Sequence, residues 1–312
     1  MVAFLISTVI VLTCFVIVIK AKYNRSFMAT VVEMYLRLVY KEYDEGFLKD
    51  YKNKEYNIPK LLEDPEFIKE YEYKKMRIFN FGNSENKTDI ILYLHGGSYI
   101  RNPRFHHIKF LKKLARKSNI NVIAPLYFKA PNYGPLINYE ILTEIYLELL
   151  NKYDNVYLFG DSSGGGLALG LCEYFLEKKI QQPKHLVLFS PWVDIELNNK
   201  LIYKYQKNEP LVSINNAREA GMVWRGDLDP HDYRVSPLYG NMIGLTDVSL
   251  FVGTRDVLYP DNIMLYELLK DSNVNVELYI GEGLNHVYPI YPIPEACKTF
   301  KDILKIFKQN GE

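Results

Sequence analysis

The protein has 312 residues, 48% of them hydrophobic and 24% charged, with 18 Gly and 15 Pro. This composition supports a full-sized core in one large domain or two small ones, and it excludes collagen-like, low-complexity and wholly disordered chains. The 38 basic and 37 acidic residues give a net charge of +1, so no excess charge directs the protein to nucleic acid or another polyanion.

The N-terminus begins with an apolar run. Residues 2–19 carry no charge, and a run of about 18 apolar residues is just long enough to cross a membrane. A cleaved secretory signal would carry basic residues before the run and a small-residue site after it, and both features are poor here. The sequence therefore predicts an uncleaved, single-pass membrane anchor over residues 1–22. Lys20, Lys22 and Arg25 favour a cytoplasmic downstream side, but this bias is weak and the side stays open.

Beyond the predicted anchor, strand-like and helix-like patterns alternate. Short apolar runs predict strands, and the segments between them carry apolar residues at helical spacing. This alternation predicts an α/β fold with a mostly parallel sheet and helices on both faces. The predicted strands are 90–94, 122–126, 156–159, 186–189, 248–252 and 276–280. The predicted helices are 28–41, 105–116, 137–152, 164–178, 261–269 and 294–308.

Two stretches interrupt the alternation. Residues 23–73 are partly helical and then charged and rich in Tyr, and residues 196–240 show no regular pattern. Insertions over the carboxyl ends of parallel strands commonly form a lid or cap. The sequence thus predicts a catalytic domain over residues 74–312 and a cap made of both stretches.

The strand at 90–94 ends in His95-Gly96-Gly97-Ser98. Successive glycines allow backbone N–H groups to approach a substrate without an intervening Cβ, which suits an oxyanion hole. Taken alone, the segment could equally be a tight turn after a strand. His95 itself is predicted to order the loop rather than to act as a catalytic base.

The segment after the strand at 156–159 reads Gly160-Asp161-Ser162-Ser163-Gly164 and precedes a helix of small residues. This is the G-x-S-x-G pattern in its required strand-turn-helix context, so Ser162 is the predicted nucleophile. A phosphate-binding loop would need Gly-Lys-Ser/Thr, and a dinucleotide loop would need G-x-G-x-x-G with a later acidic residue. Neither motif is present. With a nucleophile assigned, the predicted oxyanion donors are the N–H groups of Gly96, Gly97 and Ser163. Which of Gly96, Gly97 and Ser98 supply the donors from the loop after the strand at 90–94 is left open.

A serine nucleophile needs a base and an acid, which α/β-hydrolases place in the order Ser, Asp/Glu, His. His286 satisfies that order, because it follows the last predicted strand. Asp256 lies just beyond the strand at 248–252 and is the predicted acid, while Asp261 is its nearest rival and is better explained as a helix N-cap. His231 lies in the irregular second insertion and is predicted to be a surface residue.

Together these motifs resemble the hormone-sensitive-lipase family of α/β-hydrolases, and the apolar N-terminus is similar to the anchor of its arylacetamide deacetylase group. The resemblance covers about residues 75–310. The chain departs from the family pattern at Ser98, where Gly or Ala is usual, and at Ser163, where Ala is common. Further matching segments are Ser190-Pro191-Trp192-Val193-Asp194, Ser236-Pro237-Leu238 and Asp256-Val257-Leu258.

The resemblance implies an eight-stranded sheet, a helical cap, no cofactor and hydrolysis of carboxylic esters. An amidase using the same residues, or a catalytically silent binder, stays open as an alternative. Tyr99, Trp192 and Tyr288 are the candidates for an apolar substrate pocket, although aromatic residues at strand ends more often belong to the core. The predicted partners are a small-molecule ester, short in its acyl part and lipophilic overall, and the membrane. The natural substrate and the oligomeric state are not readable from the sequence.

Overall fold

The computed structural model describes residues 23–40 and 57–309. The predicted anchor at residues 1–22 lies outside the described residues, as do residues 41–56 of the first insertion. Within the two described ranges, no helix has both the length and the apolar composition needed to span a bilayer.

In the described part of the chain, eight strands form a single sheet in the order β1-β2-β4-β3-β5-β6-β7-β8. Strand β2 pairs antiparallel with both β1 and β4, and every pairing from β4 to β8 is parallel. The strands are β1 Ile68–Tyr73, β2 Met76–Phe81, β3 Asp89–Leu94, β4 Asn121–Pro125, β5 Asn155–Asp161, β6 His185–Phe189, β7 Val248–Gly253 and β8 Val276–Gly281.

Helices cover both faces of this sheet. In the described ranges the α-helices are α1 Phe27–Tyr40, α2 Phe105–Ser118, α3 Pro135–Leu150, α4 Ser163–Glu177, α5 Ile214–Arg225, α6 Tyr259–Asp271 and α7 Pro294–Gln309. Short 3-10 helices at Lys200–Lys204 and Gln206–Asn208 precede α5 in the second insertion. This is the architecture predicted from the alternating sequence pattern.

The sheet separates two hydrophobic cores. Along β3, Ile90 and Leu92 contribute to one core while Ile91 and Tyr93 contribute to the other, because successive side chains of a strand point to opposite faces. Helices α3, α4 and α6 pack into the first core, which also receives Trp224 of α5. Helices α2 and α7, with α1, pack into the second. The central strands are therefore buried on both sides and give rigid support to the loops at their carboxyl ends.

The six predicted strands and six predicted helices are all present, with ends shifted by a few residues. The pattern did not reveal β1 and β2. Residues 68–73, predicted to belong to the cap, instead form an edge strand of the sheet. Their sequence, IKEYEY, is largely exposed, and a solvated edge strand lacks the apolar run that marks a central strand.

Candidate active site

Four loops converge at the carboxyl ends of the parallel strands. Ser162 follows β5, residues 95–101 follow β3, Asp256 follows β7 and His286 follows β8. In open α/β sheets this edge is where ligands bind. The shared edge explains how residues far apart in the sequence become neighbours.

Ser162 occupies a sharp turn between β5 and α4, with a φ of 52°. A Cβ on Gly160 would lie 2.4 Å from the carbonyl oxygen of Gly164, and a Cβ on Gly164 would lie 2.1 Å from that of Leu94. No side chain fits at such distances, so both flanking positions require glycine. The Ser162 N–H donates to the Phe189 carbonyl at 2.9 Å, which fixes the turn. The hydroxyl is thereby presented at the N-terminus of a helix.

Ser162, His286 and Asp256 form a continuous hydrogen-bonded chain. Ser162 Oγ lies 2.9 Å from His286 Nε2, and His286 Nδ1 lies 2.9 Å from Asp256 Oδ2. The second carboxylate oxygen of Asp256 accepts the N–H of Leu258 at 2.8 Å. An imidazole that donates its Nδ1 proton to Asp256 leaves Nε2 free to accept the proton of Ser162. The structure thus brings together the three residues that the sequence analysis selected.

The electrostatic setting of His286 favours its protonated form. Burial opposes a positive charge on the ring, but the charge and hydrogen bond of Asp256 outweigh this and raise the pKa of His286. Asp256 is fully buried and His286 is 4% exposed, so little water screens their interaction. The pair is therefore suited to take up a proton from a neighbouring hydroxyl.

Asp161 holds the loop after β3. Its carboxylate accepts the N–H of Gly96 at 2.9 Å, the hydroxyl of Tyr93 at 2.6 Å and His107 Nε2 at 3.1 Å. Burial opposes ionisation of Asp161, but the charge of His107 and these hydrogen bonds lower its pKa to about 2. The predicted role of Gly96 as an oxyanion donor is therefore wrong, because its N–H is already bound to a buried carboxylate. No sequence pattern indicates this contact, which joins residues 65 positions apart.

The next two residues of the loop adopt backbone conformations with positive φ. Gly97 has a φ of 140° and Ser98 a φ of 55°, and a Cβ on Gly97 would lie 2.7 Å from the carbonyl oxygen of Arg101. Among the hydrogen bonds of the described residues, none uses the N–H of Gly97 or Ser98. Ser163 is the first residue of α4, so its N–H has no partner within the helix. These three N–H groups are therefore the candidate oxyanion donors of the site.

His95 lies behind the loop rather than beside the nucleophile. Its buried ring stacks on Tyr127 at a centroid distance of 4.5 Å, and its Nδ1 lies 2.8 Å from the carbonyl oxygen of Gly96. Burial, and then the nearby charge of Lys129, lower the pKa of His95 to about 3. The neutral ring can therefore donate its Nδ1 proton to Gly96, an arrangement in keeping with the loop-ordering role predicted for it.

The three aromatic residues predicted to line a substrate pocket lie in the core instead. Tyr99 stacks on Trp224 at 4.4 Å and packs against Trp192 at 5.5 Å. Tyr288 is also buried, and its hydroxyl accepts a hydrogen bond from Thr299 at 3.1 Å. Tyr99 and Trp192 belong to the same core as Trp224 of the second insertion, and Tyr288 belongs to the core on the other side of the sheet. The pocket prediction is therefore wrong, because these side chains pack against elements distant in the sequence.

The alternative acid and base candidates lie apart from Ser162. Asp261 is the third residue of α6, so the prediction that it is the N-cap of this helix is wrong. Its side chain is buried. His231 is exposed and lies 3.5 Å from Asp229, as expected for a surface residue. Within the described part of the chain, no cluster of three His, Cys, Asp or Glu residues is arranged to hold a metal ion.

A cavity of about 1130 Å³ opens next to the site. Its wall combines α1, the loop at Ser98 and Arg101, and residues 203–219 of the second insertion. The cavity borders the site at two points, Ser98 of the loop after β3 and Glu209, which contacts the main chain of His286, whereas Ser162, Asp256 and His286 are not part of its wall. The apolar part of the wall comprises Met34, Leu38, Tyr203, Leu211 and Val212, among others.

Glu209 is a site residue that the sequence analysis missed. It lines the cavity, and its carboxyl accepts the backbone N–H of His286 at 3.1 Å. It is only 5% exposed. No sequence signal could have selected it, because it lies in an irregular insertion 77 residues from His286 and belongs to no motif.

This fold and the order Ser162, Asp256, His286 define an α/β hydrolase. The family model for the alpha/beta hydrolase fold matches residues 91–290. The chain belongs to this family, and the predicted resemblance to hormone-sensitive-lipase-type α/β-hydrolases is confirmed.

Similar sequences and a similar solved structure support this family membership. An esterase from Acinetobacter venetianus is 28% identical over 223 residues, which cover 69% of this chain and 73% of the relative. An acetyl-hydrolase from Streptomyces hygroscopicus is 28% identical over 217 residues, covering 68% and 72%. A solved structure of an esterase from the bacterial hormone-sensitive lipase family superposes with a TM-score of 0.72 at 23% identity, covering 78% of this chain and 84% of that one. At that identity, the structural likeness concerns the fold.

Proposed function

We propose that this protein is a serine carboxylesterase that hydrolyses lipophilic esters through Ser162, His286 and Asp256. The observation that carries the proposal is the unbroken chain of two 2.9 Å contacts from Ser162 Oγ through His286 to Asp256. Nucleophile, base and orienting acid within hydrogen-bond reach are the signature of acyl transfer. The esterase and acetyl-hydrolase relatives support the same activity.

In the first half of the reaction, Ser162 Oγ attacks the ester carbonyl carbon while His286 Nε2 takes the hydroxyl proton. Asp256 holds the ring and stabilises the imidazolium. The N–H groups of Gly97, Ser98 and Ser163 bind the negative oxygen of the tetrahedral intermediate. His286 then returns the proton to the leaving alcohol, and an acyl-enzyme on Ser162 results.

In the second half, water replaces the alcohol. His286 accepts a proton from this water, whose oxygen attacks the acyl carbon, and the same N–H groups bind the second oxyanion. The proton returns to Ser162 Oγ as the carboxylic acid leaves. Water and the ester are the two reactants, and the residues named complete the cycle.

The cavity favours a bulky apolar alcohol combined with a short acyl group. Its volume of about 1130 Å³ and the apolar part of its otherwise polar and charged lining suit a molecule of drug size with an apolar body. The acetyl-hydrolase relative supports a short acyl part. We further propose that residues 196–240, with the first insertion up to β1, act as the cap over this cavity. The membrane anchor at residues 1–22 stays a prediction and would bring the site close to lipophilic substrates.

Substrate preference provides the test of this proposal. We expect kcat/KM to be highest for acetyl and butyryl esters of a bulky apolar alcohol, because the cavity accepts the alcohol while the acyl group lies at the oxyanion loop. A series of 1-naphthyl esters of increasing acyl length measures this preference. A matched naphthyl amide, more slowly cleaved, separates esterase from amidase activity. Preference for long acyl chains would contradict the short-acyl assignment, and faster amide cleavage would contradict the esterase.

Activity should be lost on acidification at a higher pH than for an ordinary histidine. Only neutral His286 can accept the proton of Ser162, and Asp256 raises the pKa of His286. We therefore expect kcat/KM to fall with an apparent pKa above about 6.5 as the pH decreases. Initial rates with 1-naphthyl acetate between about pH 5 and pH 9 measure this limb. Circular dichroism over the same range is the control for unfolding, and a limb below the ordinary histidine value would contradict the expectation.

A further inference from the structure

Glu209 accepts one backbone hydrogen bond from the loop of His286 and one from its own segment. Oε2 accepts the backbone N–H of His286 at 3.1 Å, and Oε1 accepts the N–H of Leu211 at 2.7 Å. His286 is therefore held by two carboxyl groups, with Asp256 on its ring and Glu209 on its main chain. Glu209 and Leu211 also line the cavity, so one side chain joins the cavity wall to the proposed base.

The segment that carries Glu209 is also hydrogen-bonded to α1 and to the residue before His286. Arg37 of α1 donates to the carbonyl oxygens of Asn208 at 2.9 Å and Lys207 at 3.2 Å. On the opposite side, the Asn285 side chain donates to the same Asn208 carbonyl at 3.0 Å. Residues 207–209 thus form a bridge between α1 and the loop that carries His286.

The same helix reaches the loop of the acid. Glu33 of α1 accepts a hydrogen bond from Arg255 at 3.0 Å, and Arg255 directly precedes Asp256. Glu33 also pairs with Arg25, which donates to the carbonyl oxygen of Gly283 at 3.2 Å. Glu33 of α1 therefore contacts the loop of the proposed acid directly, and it contacts the loop of the proposed base through Arg25, which lies just before the helix.

From these contacts we infer that Glu209 is a positioning residue. It fixes the main chain of His286 so that Nε2 of the ring lies within hydrogen-bond distance of Ser162. It also couples the position of His286 to the cap segment that lines the cavity. The inference rests on the proposed function. Glu209 itself does not touch the reacting atoms; it acts through His286.

The hydrogen bonds of Glu209 are made in a buried setting. Burial, and then the neighbouring Asp256 carboxylate, raise the pKa of Glu209, whereas the two backbone N–H groups that it accepts lower it. Each of its two carboxyl oxygens accepts one backbone N–H. A methionine of similar size would remove both acceptors, and a glutamine would keep one of them.

The test compares Glu209→Met, Glu209→Gln and the control Glu267→Met, which changes an exposed residue of α6. We expect Glu209→Met to lower kcat for 1-naphthyl acetate about 10- to 100-fold, because the buried His286 N–H loses its acceptor. KM should stay nearly unchanged, because the cavity wall keeps its size. Glu209→Gln should recover part of the loss, and Glu267→Met should behave as the native enzyme.

Native kcat in Glu209→Met, a loss confined to KM, or equal losses in Glu209→Met and Glu209→Gln would each overturn the inference. If Glu209→Met gives no folded protein, Arg37→Met decides: a lower kcat supports the bridge, and a native kcat overturns it. The two proposals fail differently. A native protein without esterase activity contradicts the proposed function, whereas an active native enzyme that is insensitive to these changes contradicts only the role of Glu209.

Discussion

Ser162→Ala is expected to abolish ester hydrolysis while the protein stays folded. The substitution removes the hydroxyl that lies 2.9 Å from His286 Nε2, and no acyl-enzyme can form without it. Loss of a serine nucleophile of this kind costs about 10⁴- to 10⁶-fold in kcat. Turnover of 1-naphthyl acetate measures the loss, and covalent labelling by a fluorophosphonate should disappear with it.

The matched control is Ser272→Ala, which removes a hydroxyl just beyond the C-terminal end of α6, away from the site. It should keep native turnover and native labelling. Alanine at position 162 retains the Cβ of the turn and leaves the hydrogen bonds of its main chain in place, so an unchanged melting temperature is expected. Turnover by Ser162→Ala within a few-fold of the native rate would refute the assignment of the nucleophile.

Asp256→Asn is expected to give the second large effect, a fall in kcat of about 10⁴-fold. The carboxylate accepts the Nδ1 proton of His286 at 2.9 Å. An amide nitrogen at that point favours the opposite tautomer, with the proton on Nε2, where it faces Ser162 and blocks proton transfer. The substitution also removes the charge that raises the pKa of His286, so the residual activity should extend to lower pH.

Asp271→Asn supplies the comparison for this variant, because it makes the same chemical change at an exposed position at the end of α6. Steady-state kinetics with 1-naphthyl acetate should show native values for Asp271→Asn. A loss of less than about 10-fold in Asp256→Asn would indicate that another carboxyl group orients His286. Glu209, already in contact with the His286 main chain, would then be the first candidate to examine.

The local sequence predicts those parts of the fold that depend on nearest neighbours along the chain. Central strands such as β5 are buried on both faces and therefore appear as continuous apolar runs. The turn at Ser162 is recognisable because Gly160 and Gly164 are required by steric contacts at fixed spacing. Strand β1 was not predicted because it lacks such an apolar run. It lies at the sheet edge, is mostly exposed, and carries charged residues that resemble a solvated loop.

The sequence alone determined the fold class, and it selected Ser162, Asp256 and His286, which the structure brings into contact, because each follows a predictable strand. Only the tertiary structure shows that the Gly96 N–H is bound to Asp161 from another strand. It likewise decided that Tyr99 and Tyr288 are core residues and that Glu209 holds His286. These contacts join residues from separate elements, and Glu209 comes from an irregular insertion, so their geometry depends on the packing of the whole sheet edge rather than on any local pattern.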